Sequence, residues 1–325
     1  MIFKQRSLSI IFLTIVGTLV CGGQDLTKDD QLEALLEKAE KQSQKYLEVF
    51  KDLSAEETKI KLYYKKNGKL NEKRVIKSIF VVYRSPIDNT IQEFRNVFEY
   101  NGKRIDAGTE KTEKFFRRLA KSSSAIKEHI EIRENGSRFD GRVRTWGITL
   151  DQPRPFRPEL KRFFEFKLAG REEIDGRETL VVEYKQTTPT LLITSSPSLK
   201  DEINRRGGTE YSTPTSVAFR PTNPLMNGKL WLDRETAQIW KNQFEIVLHP
   251  KVLSKPVTNV QISYEYRPSE FGSLLPKRFL IRGFRISGKN DATLRVRKDA
   301  ESIYEYSKFS RFKTDARVYE ASKNK

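Results

Sequence analysis

The sequence has very little cysteine and histidine. Cys21 is the one cysteine in 325 residues, so the chain cannot form an intrachain disulfide. Small exported domains usually need disulfides, but a chain of this length can bury a core large enough to do without them. The two histidines, His129 and His249, have no second cysteine or third histidine with which to complete a metal site. The sequence therefore predicts no metal and no cofactor.

Catalytic motifs are missing as well. The sequence contains no G-x-S-x-G nucleophile elbow and no glycine-rich phosphate loop. A pair of carboxylates for hydrolysis can still assemble from distant Asp and Glu residues without leaving a motif, so this alternative stays open. Because no other signal for catalysis is present, we predict a protein that is not an enzyme.

Long apolar runs are absent beyond the first 20 residues. A basic head there precedes a short apolar run over Leu8–Val20, and small residues follow, which is typical of a secretory signal peptide. We predict a signal peptide over residues 1–23 and export of the chain to the periplasm or cell envelope. Two alternatives stay open: an uncleaved N-terminal anchor, and lipidation of Cys21, which the bulky Val20 before it disfavours.

Acidic residues are outnumbered by basic ones. The chain has 61 Lys and Arg against 43 Asp and Glu, which gives a formal net charge of +18. Such a charge attracts nucleic acid, but predicted export disfavours that partner. An anionic membrane or envelope surface fits the predicted location better. The alternative is that the charge only keeps the surface well solvated.

Two segments have the apolar periodicity of helices. The first is Leu26–Leu53, whose apolar residues recur every three or four positions and predict a helix with one apolar stripe. Thr27 and Asp30 resemble a capping box at its start. The second is 109–134, which ends at Asn135-Gly136. An apolar stripe of this kind must pack on another element, and a sheet is the expected partner.

Most of the remaining chain alternates between apolar and polar residues, which predicts strands. In the first strand, Ile60, Leu62 and Tyr64 alternate with Lys59, Lys61 and Tyr63. Turn dipeptides at Asn67-Gly68, Asn101-Gly102 and Asp175-Gly176 separate successive strands. Further strands are predicted at Val75–Tyr83, Ile91–Tyr100, Val143–Leu150, Arg162–Leu168, Val260–Arg267, Arg278–Ile286 and Ile303–Phe312. An extended connector is predicted through Pro153, Pro155 and Pro158.

The clearest pattern is Gly228–Ile246, which predicts a β-hairpin. Leu230 and Leu232 alternate with Lys229 and Trp231, a polar turn follows, and Trp240, Phe244 and Ile246 share one face of the return strand. Before it, residues 187–227 are rich in proline, glycine, serine and threonine, which predicts an insertion without regular structure. Within the insertion, Leu191, Leu192 and Ile193 are either a flap or contact tip, or a small buried anchor.

The order of these motifs resembles the LolA/LolB-like family of periplasmic lipoprotein carriers. The resemblance rests on GREEIDGR at Gly170–Arg177, on GKLWLD at Gly228–Asp233, and on the strand Val260–Tyr266 with Leu275-Pro276 after it. It implies a mainly β protein with helices (α+β): a strongly curved antiparallel sheet, or unclosed β-barrel, whose mouth the helices cover. It also implies that the apolar concave face holds acyl chains. We expect residues 24–325 to form one such domain.

These patterns together predict non-enzymatic binding of a lipid or lipoprotein acyl chain. The candidate cavity-lining residues are Trp231, Trp240, Phe244, Tyr264 and Phe284; the candidate headgroup contacts at the rim are Arg282 and Arg285; the candidate loop contacts are Leu191, Leu192 and Ile193. Each aromatic residue can instead be an ordinary core residue. The alternative function is an envelope scaffold or sensor that binds a protein or anionic polymer through its basic surface and long loop.

Overall fold

The structure is a computed structural model that describes residues 28–50, 53–84, 91–105, 114, 132, 134–141, 154–156, 158–188, 224–250 and 253–311. Several predicted features lie outside these residues. They are the signal peptide, the strand Val143–Leu150, most of the second helix, and the part of the insertion that holds Leu191, Leu192 and Ile193.

The strands form one antiparallel sheet. They are β1 (Leu53–Tyr64), β2 (Leu70–Arg84), β3 (Ile91–Tyr100), β4 (Lys103–Arg104), β5 (Phe164–Ile174), β6 (Arg177–Gln186), β7 (Leu225–Asp233), β8 (Ile239–Leu248), β9 (Val257–Arg267), β10 (Leu275–Ser287) and β11 (Arg295–Arg311). Their order is β4-β3-β2-β1-β11-β10-β9-β8-β7-β6-β5, so the described strands do not close into a ring. The predicted fold class, a mainly β unclosed barrel with few helices, is confirmed.

The predicted turn dipeptides connect neighbouring strands as expected. Asp175 and Gly176 have φ angles of 50° and 78°, and Asn101 and Gly102 have φ angles of 48° and 78°. Two successive residues with positive φ are typical of the type I′ turn, whose twist matches that of the paired strands. Asn101 also accepts a hydrogen bond from the backbone of Val75, which fixes the turn against β2.

The predicted central hairpin is formed by β7 and β8. The Asp233 carboxylate accepts hydrogen bonds from the backbone amides of Glu235 and Thr236, so the aspartate shapes the turn that joins the strands. These bonds hold the pKa of Asp233 below its ordinary value, although partial burial acts in the opposite direction. The register shifts after Trp231, which leaves Trp240 in a bulge of β8.

The first helix, α1, spans Lys28–Phe50, close to the predicted bounds. Its buried apolar residues recur at helical spacing, and they pack into the main core cluster: Leu36, Ala39, Tyr46 and Phe50. We call the face of the sheet that carries this cluster the inner face, and the opposite face the outer face. The predicted stripe therefore covers the inner face of the sheet.

The proline-containing connector is not extended, contrary to the prediction. Arg154–Phe156 forms a 3-10 turn, and Pro158–Lys161 forms the short helix α2. Proline at the first helical position costs no hydrogen bond, which explains why Pro158 begins a helix. The result places the buried Phe156 ring on Phe166 of β5, with centroids 6.1 Å apart and planes within 5°.

The first strand has its faces reversed relative to the usual half-buried pattern. The side chains of Lys59, Lys61 and Tyr63 are fully buried, whereas Ile60 and Leu62 on the outer face are only half-buried. Alternation divides the residues of a strand into two faces but does not show which face is buried. The usual assumption is that the apolar set faces the core. Here the charged set faces inward, and its partners come from elsewhere in the chain.

Candidate functional site

One row of residues crosses the whole inner face and changes character along its length. Pairing of the strands from β5 to β3 places these residues opposite one another in turn: Leu168, Val182, Leu230, Asn242, Tyr264, Phe279, Tyr304, Lys59, Ile76 and Tyr100. The row is mainly apolar and aromatic from β5 to β11 and meets a lysine at β1. The inner face thus has an apolar half and a charged half.

The apolar half lies under α1. Tyr46 of the helix meets the ring of Tyr266 edge-on at 6.2 Å, and Phe50 lies 6.4 Å from Phe80. Beneath the helix, Tyr264 stacks on Phe279 with centroids 4.5 Å apart. Aromatic pairs of this geometry add to the free energy gained from burial alone. The helix is therefore held on the sheet by aromatic contacts as well as by aliphatic packing.

The apolar half is incompletely covered along one side. Leu32 and Leu35, near the start of α1, are only partly buried although they pack on the core cluster. The same is true of Phe166, Leu168 and Ile174 in β5. The 3-10 turn at 154–156 touches both α1 and, through its phenylalanine, β5. We call these five half-buried residues the apolar margin.

Three of the predicted cavity-lining residues face the apolar half. Trp240, Phe244 and Tyr264 are all buried members of the main cluster. The Trp240 indole N–H donates to the Asp233 carboxylate at 3.3 Å, so its polar atom is satisfied within the turn. The Phe244 ring lies 6.3 Å from Tyr264, and both rings are nearly parallel.

The other two aromatic candidates are placed differently. Trp231 is buried but outside the main cluster, on the outer face, where its indole N–H donates to Glu172 at 2.7 Å. The Lys241 ammonium lies 4.4 Å above its ring, a cation–π contact. Phe284 is half-buried at a register shift of β10, opposite Lys298 of β11.

The two predicted rim arginines form ion pairs with β11. The Arg282 Nε donates to Glu301 at 2.6 Å, and Arg285 lies 3.0 Å from Asp299. Both guanidinium groups remain substantially exposed, whereas both carboxylates are largely buried. The arginines thus compensate two buried carboxylates and still present donors to solvent.

A glycine of the GKLWLD motif permits an unusually close contact. A Cβ on Gly228 would lie 2.5 Å from the Tyr184 ring and 2.7 Å from the Gln243 carbonyl oxygen. Tyr184 therefore lies directly against the strand, and its hydroxyl hydrogen-bonds to Asn242 at 3.0 Å. A groove of about 550 Å³ adjoins Gly228. It is lined by the residues opposite Gly228 on the paired strands and by charged residues next to them. Only glycine fits here, which gives this part of the motif a structural reason.

The charged half is built around two lysines that share one carboxylate. The Lys59 ammonium lies 2.6 Å from Asp140 Oδ1, and Lys61 lies 3.5 Å from Asp140 Oδ2. All three side chains are essentially inaccessible to solvent. Burial lowers the pKa of Lys61 to about 8; Asp140 opposes this shift and the neighbouring Lys59 adds to it. Asp140 comes from segment 134–141, which covers this part of the sheet.

A second buried ion group adjoins the first. Arg95 Nε donates to Glu57 at 2.8 Å, and its Nη2 donates to Glu93 at 3.0 Å. Burial acts to lower the pKa of Arg95, but the two glutamates raise it well above its ordinary value. Ser78 also donates to Glu57. The Arg95 guanidinium is therefore charged and doubly compensated.

Tyr304 joins the two halves of the inner face. On the apolar side, its ring lies 5.2 Å from that of Phe279, with the two planes tilted by 34°. On the charged side, the ammonium groups of Lys59 and Lys61 lie 5.4 and 5.8 Å from its centroid, and the Arg95 guanidinium lies 5.9 Å away. A ring face attracts cations, so one aromatic residue contacts three buried cations.

The charged half was not predicted from the sequence. Lys59 and Lys61 are visible as alternate residues of a strand, but alternation places lysines outside by default. Asp140 follows the Asn135-Gly136 signal and has no feature that marks it as a buried partner. Among the residues that the structure describes, no three His, Cys, Asp or Glu side chains are grouped so as to hold one metal ion.

No protein-family model and no curated protein matches the sequence. Solved structures similar to it include a domain described as an outer membrane lipoprotein-sorting protein from Vibrio parahaemolyticus, with 10% identity, a TM-score of 0.34 and coverage of 87% of this chain and 98% of that one. A DUF1329 family protein from Desulfovibrio piger has 10% identity, a TM-score of 0.30, and coverage of 88% and 98%. Lipoprotein LppX from Mycobacterium tuberculosis has 11% identity, a TM-score of 0.25, and coverage of 85% and 95%.

Lipoprotein-sorting structures are thus among the proteins that this chain resembles, as the sequence motifs predict. Similarity at these TM-scores does not assign a function, which must be argued from the geometry of the chain itself. Among the residues that the structure describes, none of the helices has the length and hydrophobicity of a membrane span.

Proposed function

We propose that this protein is an exported, non-enzymatic carrier that binds the acyl chain of a lipid or lipoprotein on the apolar half of its inner face. The observation that supports the proposal is the apolar margin. Its five residues pack on the core cluster and are still partly exposed, so an apolar ligand can extend the core there. Each buried methylene of an acyl chain contributes about 0.8 kcal/mol.

The proposed path of such a chain runs between α1 and β5. The margin of α1 contributes Leu32 and Leu35, and the inner side of β5 contributes Phe166 and Leu168. Trp240, Phe244 and Tyr264 lie deeper in the same cluster and are the proposed lining. Trp231 is not included, because its side chain is on the outer face.

The headgroup and loop contacts remain part of the proposal. Arg282 lies on the same outer face as Trp231 and is left out for the same reason. Arg285 keeps an exposed guanidinium group that can meet a carboxylate or phosphate while it stays bonded to Asp299. Leu191, Leu192 and Ile193 are proposed as a loop contact for the ligand.

Uptake of a fluorescent fatty acid by the mature protein tests the proposal. Leu168→Asp places a carboxylate in the apolar margin and should weaken uptake at least tenfold. Lys167→Asp, one residue away on the exposed outer face, is the matched control and should leave uptake unchanged. Phe166→Ser is a milder second variant for the case in which Leu168→Asp melts at a much lower temperature.

Native mass spectrometry of protein purified gently from its host provides the second test. An added mass that organic extraction removes and that fragments as a lipid supports the carrier. A bare polypeptide together with no uptake of the fluorescent fatty acid overturns it. That outcome favours the alternative function, a filled scaffold that binds a protein or anionic polymer.

A further inference from the structure

Two hairpin tips lie side by side at one end of the sheet. The β1–β2 turn and the β10–β11 turn are at the same end, because β11 is antiparallel to both β1 and β10 and pairs with both. The Lys298 ammonium of β11 lies 4.1 Å above the Tyr64 ring at the end of β1. Tyr64 in turn pairs with Leu70 of β2.

These tips carry a dense set of cations. The exposed ones are Lys65, Lys66, Lys69, Lys73, Lys289, Arg295 and Arg297. Among the ion pairs of the described residues, none involves these seven side chains. The nearby carboxylates have other partners, since Glu72 binds Arg74 and Asp291 accepts from the backbone of Ser254. We call the seven cations and the turns that carry them the basic tips.

Both tips also expose an apolar side chain. Leu70 is 51% exposed and Val296 is 43% exposed, and in the described part of the chain these two are the exposed large hydrophobic residues. Each stands beside cations, Leu70 after Lys69 and Val296 between Arg295 and Arg297. A single exposed leucine is ordinary, but here the two exposed apolar side chains lie on adjacent basic tips.

The opposite end of the sheet has a different charge pattern. Its turns mix both signs, and the charges there are paired: Arg171 and Arg234 both contact Glu178, and Lys277 contacts Asp175. Among the described turns, the cations of the basic tips therefore lack acidic partners, whereas those of the opposite end are paired. A well-solvated surface does not require this asymmetry.

We propose that the basic tips dock this protein on an anionic lipid bilayer. Clustered lysine and arginine residues are attracted to the negative surface of such a membrane, and apolar side chains between them can enter the interface. The two contributions together favour a bilayer over nucleic acid or another soluble polyanion, because a polyanion offers no apolar region to the exposed Leu70 and Val296. The proposal does not depend on acyl-chain binding in the inner face.

Sedimentation of the mature protein with lipid vesicles tests the docking. Vesicles of phosphatidylcholine alone are compared with equimolar phosphatidylcholine and phosphatidylglycerol. We expect binding only to the anionic vesicles, weakened by added salt. Equal binding to both vesicle types, or binding to neither, overturns the proposal.

Matched variants locate the binding to the tips. Lys65→Gln, Lys69→Gln and Arg297→Gln combined should weaken binding about a hundredfold, at roughly fivefold for each cation removed. Arg171→Gln, Arg234→Gln and Lys277→Gln remove the same charge at the opposite end and should change binding by far less. Equal losses in both triple variants would mean that only net charge matters, and would overturn the assignment to the tips.

The apolar residues and the competing partner are tested separately. Leu70→Ser with Val296→Ser keeps every charge and should reduce the part of the binding that survives high salt. The proposal is overturned if the protein does not sediment with vesicles but binds a soluble polyanion such as heparin equally well before and after this change. That result would assign the basic tips to a polyanion. Fatty-acid uptake without vesicles should be unchanged in all tip variants, so docking and carriage succeed or fail independently.

Discussion

Both halves of the inner face bury large side chains, but one half buries apolar residues and the other buries charged ones. Under α1, the apolar half is filled by aromatic and aliphatic residues such as Tyr264 and Phe279. Under segment 134–141, the charged half buries Lys59, Lys61 and Asp140, with Arg95 and its two glutamates beside them. One continuous sheet and one row of paired residues build both.

The difference shows that burial has different consequences on the two sides. An apolar side chain that is removed leaves a cavity, and the loss grows with the volume that the neighbours cannot fill. A charged side chain that is removed leaves its partner charged, buried and uncompensated, which is usually worse. The stability of the charged half should therefore respond more strongly to the loss of one charge, and that of the apolar half to the loss of side-chain volume.

The largest expected effect is that of Asp140→Asn. This change keeps the volume of the side chain and removes the one carboxylate that both lysines contact. Two buried ammonium groups then repel each other, and we expect the free energy of unfolding to fall by about 3–5 kcal/mol. Urea denaturation at neutral pH, followed by circular dichroism, measures it.

Asp175→Asn is the matched control for this substitution. Asp175 is exposed in the β5–β6 turn, and asparagine tolerates its positive φ of 50°. The free energy of unfolding should change by less than about 0.5 kcal/mol. If Asp140→Asn were as mild as its control, segment 134–141 would not be held by the lysines as described.

Leu230→Ala should destabilise the apolar half somewhat less. Leu230 is fully buried between Val182 and Asn242 in the inner row. Loss of the side chain should lower the free energy of unfolding by about 3 kcal/mol. An added acyl ligand stabilises each variant by an amount that its affinity sets, so the affinity is the quantity that separates the two halves. Leu230→Ala should lower the affinity for the ligand, whereas Asp140→Asn should leave it unchanged. Equal affinities in both variants would contradict the division of the inner face into two halves.

The sequence predicts the apolar half far better than the charged half. Trp240, Phe244 and Tyr264 alternate with polar residues, and hydrophobic alternation identifies such residues because burial favours apolar side chains wherever they occur. Turn chemistry adds the hairpins, since dipeptides such as Asp175-Gly176 adopt positive φ easily. Both signals are local and can be read from a few neighbouring residues.

The charged half depends on contacts that no local signal records. Lys59 is buried only because Asp140, 81 positions later, lies over it. Without that partner, the same strand would be more stable with its lysines outside and Ile60 and Leu62 inside. The choice between the two faces of β1 is therefore made by the covering segment, and the alternation of the strand is compatible with either.

The pH dependence of stability should show Lys61 directly. Its pKa is about 8 in the folded protein and near 10.5 when unfolded, so between these pH values the unfolded chain binds more protons. Stability must then rise with pH, by up to about 1.4 kcal/mol per pH unit, because high pH removes the proton that burial disfavours. Below about pH 8 the buried ammonium destabilises the fold fully.

Lys61→Met should abolish this rise and stabilise the protein slightly at neutral pH, since Lys59 still pairs with Asp140. Burial and the neighbouring Glu57 raise the pKa of Tyr306 well above 10, which lowers stability at still higher pH. The comparison is therefore made by urea denaturation between about pH 8 and 10. A wild-type protein without any rise in this interval would contradict the buried, undercompensated Lys61.

The smallest effects come from Trp231 and Trp240, two of the three tryptophans, which lie on opposite faces of the sheet. Trp231→Phe loses a hydrogen bond to Glu172, and Trp240→Phe loses one to Asp233, so each should cost about 1 kcal/mol.

Stability alone cannot distinguish the two variants, but fluorescence can. A fatty acid that enters the apolar half changes the surroundings of Trp240, which belongs to the main cluster, and leaves Trp231 on the other side of the sheet. With Trp146, the third tryptophan, replaced by Phe throughout, we expect the fluorescence change on titration to survive in Trp231→Phe and to be largely lost in Trp240→Phe. The reverse result would place the ligand on the outer face and contradict the proposed site.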